Sequence, residues 1–141
     1  YIFCRDIGVV IGNSLLITQA MKKARCRETI LSYFIYKHNP LFDTLKITSG
    51  HIELSTDAND LLENLNRKNN DLSIEGGDVM SFMEGHVLIG CSERTTRFAI
   101  EKVMQQIFLK KKAKKVTVIE IPRERYCMHL DTIFTCIDSH V

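Results

Sequence analysis

The chain has 141 residues, of which 45% are hydrophobic and 26% are charged, and its formal net charge at pH 7 is +2. These values are typical of one soluble globular domain, and so small a net charge indicates no particular partner. No apolar run approaches the roughly 18 residues of a transmembrane helix, which excludes a membrane span. The five cysteines are odd in number and lack a C-x-x-C pair, which argues against a disulfide framework or a structural zinc site and favours a reducing cytoplasm.

The first predicted elements form a β-hairpin headed by an aspartate. Asp6 precedes an apolar run, and Gly12-Asn13 forms a two-residue turn into a second apolar run, which is the pattern of a tight hairpin. A polar loop containing Arg25 follows, and then a weakly amphipathic helix that includes residues 29–37. These elements make up repeat 1, over about residues 1–42.

The segment over residues 43–73 is polar and is predicted to be a connector. Its apolar residues are periodic only in one short stretch behind Asp57, which suits a helix N-cap. That stretch predicts one short helix, formed around Leu61, Leu62 and Leu65.

Repeat 2, over about residues 74–122, has the same order of elements. Residues 78–90 align without a gap on residues 6–18, so Asp78 heads this hairpin and Glu84-Gly85 forms its turn. A loop containing Arg94 comes next.

The rest of repeat 2 is predicted to be a helix and a strand. An i, i+3, i+4, i+7, i+8 spacing predicts an amphipathic helix, whose apolar face consists of Ile100, Val103, Met104, Ile107 and Phe108. Residues 115–121 alternate with β-branched side chains and predict a strand that ends at Pro122.

A third aspartate-headed hairpin is predicted at the end of the chain, over about residues 127–141. Asp131 precedes an apolar segment, and Asp138-Ser139 forms the turn. Repeats of this size bury one face on their neighbours in propellers or solenoids, which need at least three copies. Because the third hairpin is cut after its turn and Tyr1 is not an initiator methionine, we expect an internal fragment of an α/β repeat protein.

Five lysines cluster between residues 110 and 115. Such a run can contact nucleic acid, or it can lie in solvent at the negative end of a helix. No aromatic residues interleave the lysines as a stacking platform requires. We therefore interpret the run as a solvated helix end and expect no nucleic-acid partner.

Candidate chemistry begins with His129 and Asp131. Two residues apart in an extended segment, they project to the same face. An imidazole beside a carboxylate is typical of a general acid/base with a pKa near neutrality, although a structural hydrogen bond is the plainer interpretation. Glu75 and Asp78 flank a flexible Gly-Gly turn, where the plainer interpretation is a loop in which Asp78 caps the turn.

Together the charged residues indicate a substrate. Asp6, Glu75 and Asp131 at the strand ends of a propeller would form a negative pocket for a planar cation. Arg25 and Arg94 at its rim would bind an anion through their fork of donors, although a solvated charge is the plainer interpretation of each. A molecule with a guanidinium at one end and a carboxylate at the other is arginine. Zinc bound to His129, Asp131 and Glu75 is disfavoured because a further nitrogen or sulfur ligand at suitable spacing is not evident, so we expect no metal.

Five ordered motifs resemble those of the arginine deiminase family, and the resemblance covers nearly the whole chain apart from the connector. They are Phe3-Cys4-Arg5-Asp6, Ala24-Arg25-Cys26-Arg27-Glu28-Thr29, Ile74-Glu75-Gly76-Gly77-Asp78, Ser92-Glu93-Arg94-Thr95 and Met128-His129-Leu130-Asp131-Thr132. The resemblance implies the α/β propeller (pentein-like) fold of the guanidine-modifying enzymes. About two of its repeats and the start of a third would lie in this chain.

The resemblance also implies roles for these residues in converting L-arginine to citrulline and ammonia. Asp6 and Asp131 would bind the guanidinium, and Glu75 would assist them and orient His129, the general acid and then base. The two arginines would bind the substrate's α-carboxylate. No cofactor is implied, and a homo-oligomer of a longer parent is compatible with the family.

The nucleophile implied by the family is a cysteine in a glycine-rich segment beyond the His-x-Asp motif. The chain ends before such a segment, and its own cysteines are interpreted as small buried apolar residues. We therefore expect the 141 residues alone to be inactive. The alternatives are an amidinotransferase or another guanidine hydrolase of the same fold, or a degenerate noncatalytic fragment. Arg25 and Arg94 argue against agmatine as the substrate, because agmatine has no carboxylate.

Overall fold

Two units of the same design follow one another in the computed structural model, which describes residues 4–42, 46–49, 72–83 and 85–137. The first unit contains strands β1 (Gly8–Ile11) and β2 (Ser14–Ile17), helix α1 (Cys26–His38) and strand β3 (Lys46–Ser49). The second contains β4 (Val79–Met83), β5 (His86–Cys91), α2 (Arg97–Leu109) and β6 (Lys115–Glu120). A short helix, α3 (Leu130–Ile133), follows.

The two predicted hairpins are confirmed. Strand β1 pairs antiparallel with β2 and β4 pairs antiparallel with β5, with a register irregularity between Ser81 and Met83. Gly12 and Gly85 lie in the turns with φ values of 58° and 73°, a left-handed conformation that favours glycine. The turns therefore use the residues that their backbone geometry requires.

A third strand completes each sheet by pairing in parallel with the second strand of its hairpin. Strand β6 confirms the strand predicted before Pro122. Strand β3 corrects the prediction for the connector, since Lys46–Ser49 is a strand. Four residues are too short a run to reveal their period, and their pairing with β2 is a contact distant in the sequence. The helix predicted behind Asp57 lies outside the described residues.

The core lies between the units and is covered by α2. Helix α2 buries Ala99, Ile100, Val103 and Ile107, whereas Phe108 remains 43% exposed, so the predicted apolar face is correct except at that position. These side chains pack in one cluster with Ile11 and Leu16 of the first unit and with Ile74, Val79, Val87 and Ile89 of the second. None of the helices in the described ranges combines the length and apolar character needed to cross a membrane.

The third predicted hairpin is wrong over the described residues. Leu130–Ile133 forms a helical turn, and residues 134–137 have no regular structure. Local hydrogen bonds explain the difference, because the Thr132 N–H donates to the His129 carbonyl and the Phe134 N–H donates to the Leu130 carbonyl. A strand would need a neighbouring strand to accept such bonds.

The backbone brings the candidate residues to one end of the sheets. Asp6 directly precedes the first hairpin, and Glu75 lies just before the second. Because β5 and β6 are parallel, the chain leaves β6 at that same end and reaches His129. A two-way backbone bridge between Gln19 and Ile74, with N···O distances of 3.0 and 2.9 Å, joins the units there.

Candidate active site

A buried 3₁₀ turn, Gly76–Asp78, presents two carboxylates to the interior. The residues Glu75 and Asp78 are only 1% and 0% exposed. Burying two negative charges is costly unless each is paired or hydrogen-bonded. Their partners therefore define the site.

His129 lies between these two carboxylates. Its Nε2 is 3.2 Å from a Glu75 carboxylate oxygen, and its Nδ1 is 3.1 Å from Oδ2 of Asp78. Glu75 thus contacts His129, the residue that the family resemblance expects it to orient. With an acceptor at each ring nitrogen, the imidazole is held as a double donor when it is protonated.

Asp78 is the site residue whose role the sequence did not reveal. It was predicted to cap the turn, but its side chain instead accepts hydrogen bonds from Ser92 Oγ (2.7 Å), Thr95 Oγ1 (2.6 Å) and the Leu130 N–H (2.9 Å), besides contacting His129. The Gly-Gly turn directs the side chain inward, where it needs these donors. Two features of the sequence could have indicated this role: the alignment of Asp78 with Asp6, and the hydroxyl side chains of Ser92 and Thr95 on either side of Arg94.

Protonation of His129 follows from this geometry. Burial by itself would lower the pKa of His129, but the hydrogen bonds to Asp78 and Glu75 outweigh burial and raise the pKa to about 10. Burial would likewise raise the pKa of Glu75, yet the hydrogen bonds from His129 and the Met21 N–H leave that pKa lowered. The sequence had suggested a His129 pKa near neutrality. The site instead contains an imidazolium between two carboxylates at pH 7.

Asp131 lies beside His129 across Gly77. A Cβ atom at Gly77 would be 3.1 Å from Cγ of His129 and 3.2 Å from both carboxylate oxygens of Asp131. Only a residue without a side chain leaves these groups in place. Burial is the main reason that the pKa of Asp131 is raised, opposed chiefly by Arg5, whose Nε is 3.4 Å from the carboxylate.

Asp6 is bound by Arg25. Nη1 of Arg25 is 2.8 Å from Oδ2 of Asp6, and the two side chains are 17% and 12% exposed. The same guanidinium donates from Nε and Nη2 to Glu28, at 3.1 and 2.8 Å. Asp6, the candidate for binding the substrate's guanidinium, is therefore paired with Arg25, a candidate for binding its carboxylate. The sequence did not predict this ion pair.

Arg94 lies at the edge of the same cluster, in the loop before α2. Its Nη1 is 4.0 Å from Oε1 of Glu75, and its side chain is 18% exposed. The buried Nε of Arg94 has no hydrogen-bond partner among the described residues. This Nε lies 3.9 Å from a Glu93 carboxylate oxygen, which is an ion-pair distance and too long for a hydrogen bond.

One ligand atom each from Asp6, Glu75 and His129 lie within 4.8 Å of one another. A metal needs a free imidazole lone pair, and in this structure both ring nitrogens of His129 face carboxylates. Metal binding would therefore require His129 to lose its proton.

The cysteines offer little nucleophilic character where their pKa is shifted. Burial raises the thiol pKa of both Cys26 and Cys91, which disfavours the reactive thiolate. Cys127 packs in an apolar cluster with Met80, Leu88 and Leu130. The interpretation of the cysteines as buried residues is thus correct for Cys91 and Cys127, whereas Cys26 is half-buried and Cys4 and Cys136 are exposed.

Comparison with known proteins shows the family to which this arrangement belongs. The arginine deiminase family model matches residues 1–141. The chain belongs to the arginine deiminase family. It is 37% identical over 139 residues to an arginine deiminase of Listeria monocytogenes, a match covering 96% of this chain and 30% of the relative. The chain therefore spans about a third of the length of this curated relative.

Solved structures with a similar fold include two enzymes of other kinds. A dimethylarginine dimethylaminohydrolase from Pseudomonas aeruginosa in complex with citrulline has a TM-score of 0.57 at 18% identity, with 91% of this chain and 40% of that one covered. An amidinotransferase of saxitoxin biosynthesis from Microseira wollei has a TM-score of 0.57 at 16% identity, with 84% and 35% covered. The chain thus shares the α/β fold of these two structures.

Proposed function

We propose that this chain supplies the guanidinium-binding and proton-transfer groups of an arginine deiminase, which hydrolyses L-arginine to L-citrulline and ammonia. The observation that carries the proposal is the protonated His129 between Glu75 and Asp78, with Asp131 beside it across Gly77. Family membership supports the reaction, and the geometry supports these residues as its acid and its cation ligands.

Asp6 and Asp131 would bind the two edges of the substrate guanidinium. Both carboxylates already contact guanidinium groups of this chain, those of Arg25 and Arg5. Charge-assisted, paired hydrogen bonds make a carboxylate a good partner for such a planar cation. Substrate binding would then replace or join these internal partners.

Arg94 is the better placed of the two candidates for the substrate's α-carboxylate. Its buried Nε makes no hydrogen bond among the described residues and lies 3.9 Å from a Glu93 carboxylate oxygen, and a buried donor without a hydrogen bond is costly until a ligand supplies one. Arg25 would have to leave Asp6 and Glu28 to perform the same role. We therefore propose that Arg94 binds the substrate's α-carboxylate, and that Arg25 can bind it only after leaving Asp6 and Glu28.

The reaction uses His129 first as an acid and then as a base. A cysteine thiolate attacks the guanidinium carbon and a C–S bond forms, after which the C–N bond breaks and ammonia leaves with the proton from His129. Neutral His129 then takes a proton from water, whose oxygen attacks the same carbon. The C–S bond of the resulting adduct then breaks and its hydroxyl proton passes to solvent, which releases citrulline and the thiolate. The carboxylates raise the pKa of His129 in the ligand-free site, and binding the cationic substrate to Asp6 and Asp131 favours proton release.

The nucleophile of this mechanism would come from outside the 141 residues. Burial raises the thiol pKa of Cys26 and Cys91, and Cys127 lies in the core. Cys4 and Cys136 are exposed, but neither lies in the glycine-rich segment that the family resemblance implies for the nucleophile. The isolated chain should therefore release no citrulline from L-arginine. Turnover above the blank in a colorimetric citrulline assay would contradict this part of the proposal.

Binding tests the substrate assignment without turnover. In NMR titrations of the isolated chain, L-arginine should bind more tightly than agmatine, which lacks the carboxylate. Arg94→Ala should remove at least tenfold of the affinity for L-arginine and leave agmatine unchanged. Arg97→Ala is the matched control, because Arg97 is exposed on α2 and pairs with Glu120. Equal affinities for L-arginine and agmatine, or an equal loss in both variants, would refute the assignment.

A further inference from the structure

A cavity lies at the opposite end of the sheets from the candidate active site. Its volume is about 520 Å³, within the range typical of small-molecule sites. It opens beside the two hairpin turns, about 15 Å along β4 from Asp78. Its described lining is formed by Ile11, Gly12, Ser81, Phe82, Met83, Gly85, His86, Val87, Lys111, Lys112, Ala113 and Lys114. We call this cavity the basic cleft.

The basic cleft gathers three cationic side chains, those of Lys111, Lys112 and Lys114. Three cations around one concave surface repel each other, and the walls of a cleft focus their field on whatever enters. An anion of two or more charges would relieve that repulsion.

The backbone at the end of α2 gathers these lysines. The Lys111 N–H donates to the Phe108 carbonyl and the Lys112 N–H donates to the Ile107 carbonyl, at 3.0 and 2.9 Å. This is the Schellman motif, whose left-handed residue is usually glycine. Here that residue is Lys111, with a φ of 51°. A lysine thus occupies a position where glycine is favoured, and it lines the cleft.

Two rings complete the basic cleft. Phe82 and His86 both line it, with ring centroids 5.7 Å apart and ring planes at 89°. The sequence had argued against a binding role for the lysines because no aromatic residues lie among them. The fold brings the rings from the second hairpin to the lysines, so that argument no longer holds.

We propose that the basic cleft binds a nucleoside polyphosphate. The phosphates contact Lys111, Lys112 and Lys114, and the base packs against Phe82. Lysine acts here as a compact cationic phosphate ligand, while an aromatic face accepts any planar base. The site is separate from the proposed arginine site and does not depend on that function.

Isothermal titration calorimetry of the purified chain with ATP, inorganic triphosphate and adenosine tests the proposal. ATP should bind with a stoichiometry of one, more tightly than triphosphate or adenosine, and its affinity should fall between 50 and 200 mM salt. The absence of saturable ATP binding would overturn the site. Triphosphate binding as tightly as ATP would overturn the assignment of the base.

Charge-matched variants locate the binding. The double variant Lys112→Gln, Lys114→Gln should weaken ATP at least tenfold, whereas Lys22→Gln, Lys23→Gln, which removes two exposed lysines elsewhere, should change it less than twofold. Lys111→Gly separates binding from folding, because it should raise the melting temperature by relieving the left-handed residue while weakening ATP. Equal losses in the two double variants would overturn the proposal.

Discussion

Raising the pH should destabilise the protein through one buried histidine. Burial would lower the pKa of His129, but the hydrogen bonds to Asp78 and Glu75 raise it to about 10, compared with about 6.5 in an unfolded chain. The folded state therefore keeps a proton that the unfolded state releases. The stabilisation is complete below about pH 6.5 and is lost as the pH rises toward 10.

The size of the loss follows from how steeply the free energy of unfolding depends on pH. A difference of one bound proton changes the free energy of unfolding by about 1.4 kcal/mol per pH unit. Raising the pH from 7 to 9.5 should thus remove about 3 kcal/mol, of the roughly 5–15 kcal/mol that holds a typical domain folded. An effect of that size is readily measured.

Urea unfolding followed by circular dichroism at pH 7, 8, 9 and 9.5 provides the assay. Burial also raises the thiol pKa of Cys26 and Cys91, so the informative quantity is the difference between the wild type and His129→Asn. His38→Asn, at the exposed end of α1, is the control and should keep the wild-type slope. Parallel curves for the wild type and His129→Asn would refute the reasoning. So would an NMR titration of wild-type His129 with a midpoint near 6.5.

Three further predictions test the surroundings of that histidine and the core. Asp78→Asn should lower the pKa of His129, because a neutral amide replaces the charged acceptor at its Nδ1; an unchanged midpoint in the imidazole NMR titration would contradict this. Gly77→Ala should reduce the free energy of unfolding in urea by about 1–3 kcal/mol, since the new Cβ would lie 3.1 Å from the His129 ring; wild-type stability would count against the close approach. Ile89→Ala, at a fully buried position, should cost about 2–5 kcal/mol in the same assay, whereas Leu109→Ala, 77% exposed, should cost less than about 0.5 kcal/mol.

The elements that the sequence revealed are those encoded by neighbouring residues. Both hairpins are recognisable from a two-residue turn between apolar runs, and α2 is recognisable from its apolar spacing. Strand β3 was missed because four residues carry little pattern and its partner β2 is about thirty positions away. The helical turn at Asp131 replaced a predicted strand because local hydrogen bonds satisfied its backbone.

The sequence indicated several residues of the candidate site but few of the contacts between them. Sequence motifs named Asp6, Glu75 and His129, which the fold brings together. The role of Asp78 depends on which way a buried side chain points, and the pairing of Arg25 with Asp6 depends on two segments meeting in space. A one-dimensional pattern contains neither. The raised pKa of His129 could not be predicted from the sequence either, because it depends on two carboxylates more than fifty positions upstream.

The backbone bridge between Gln19 and Ile74 joins the two units next to the candidate active site. Immediately beyond it, the Met21 N–H of the first unit donates to Glu75 of the second, at 3.0 Å. The acid that helps to hold the proton on His129 therefore has partners on both sides of the bridge, a peptide N–H of the first unit and the His129 ring. If the two units separated at this bridge, water would reach Glu75, and His129 would lose its proton more readily. The protonation state of one ring is thus a local reporter of whether the two halves are docked.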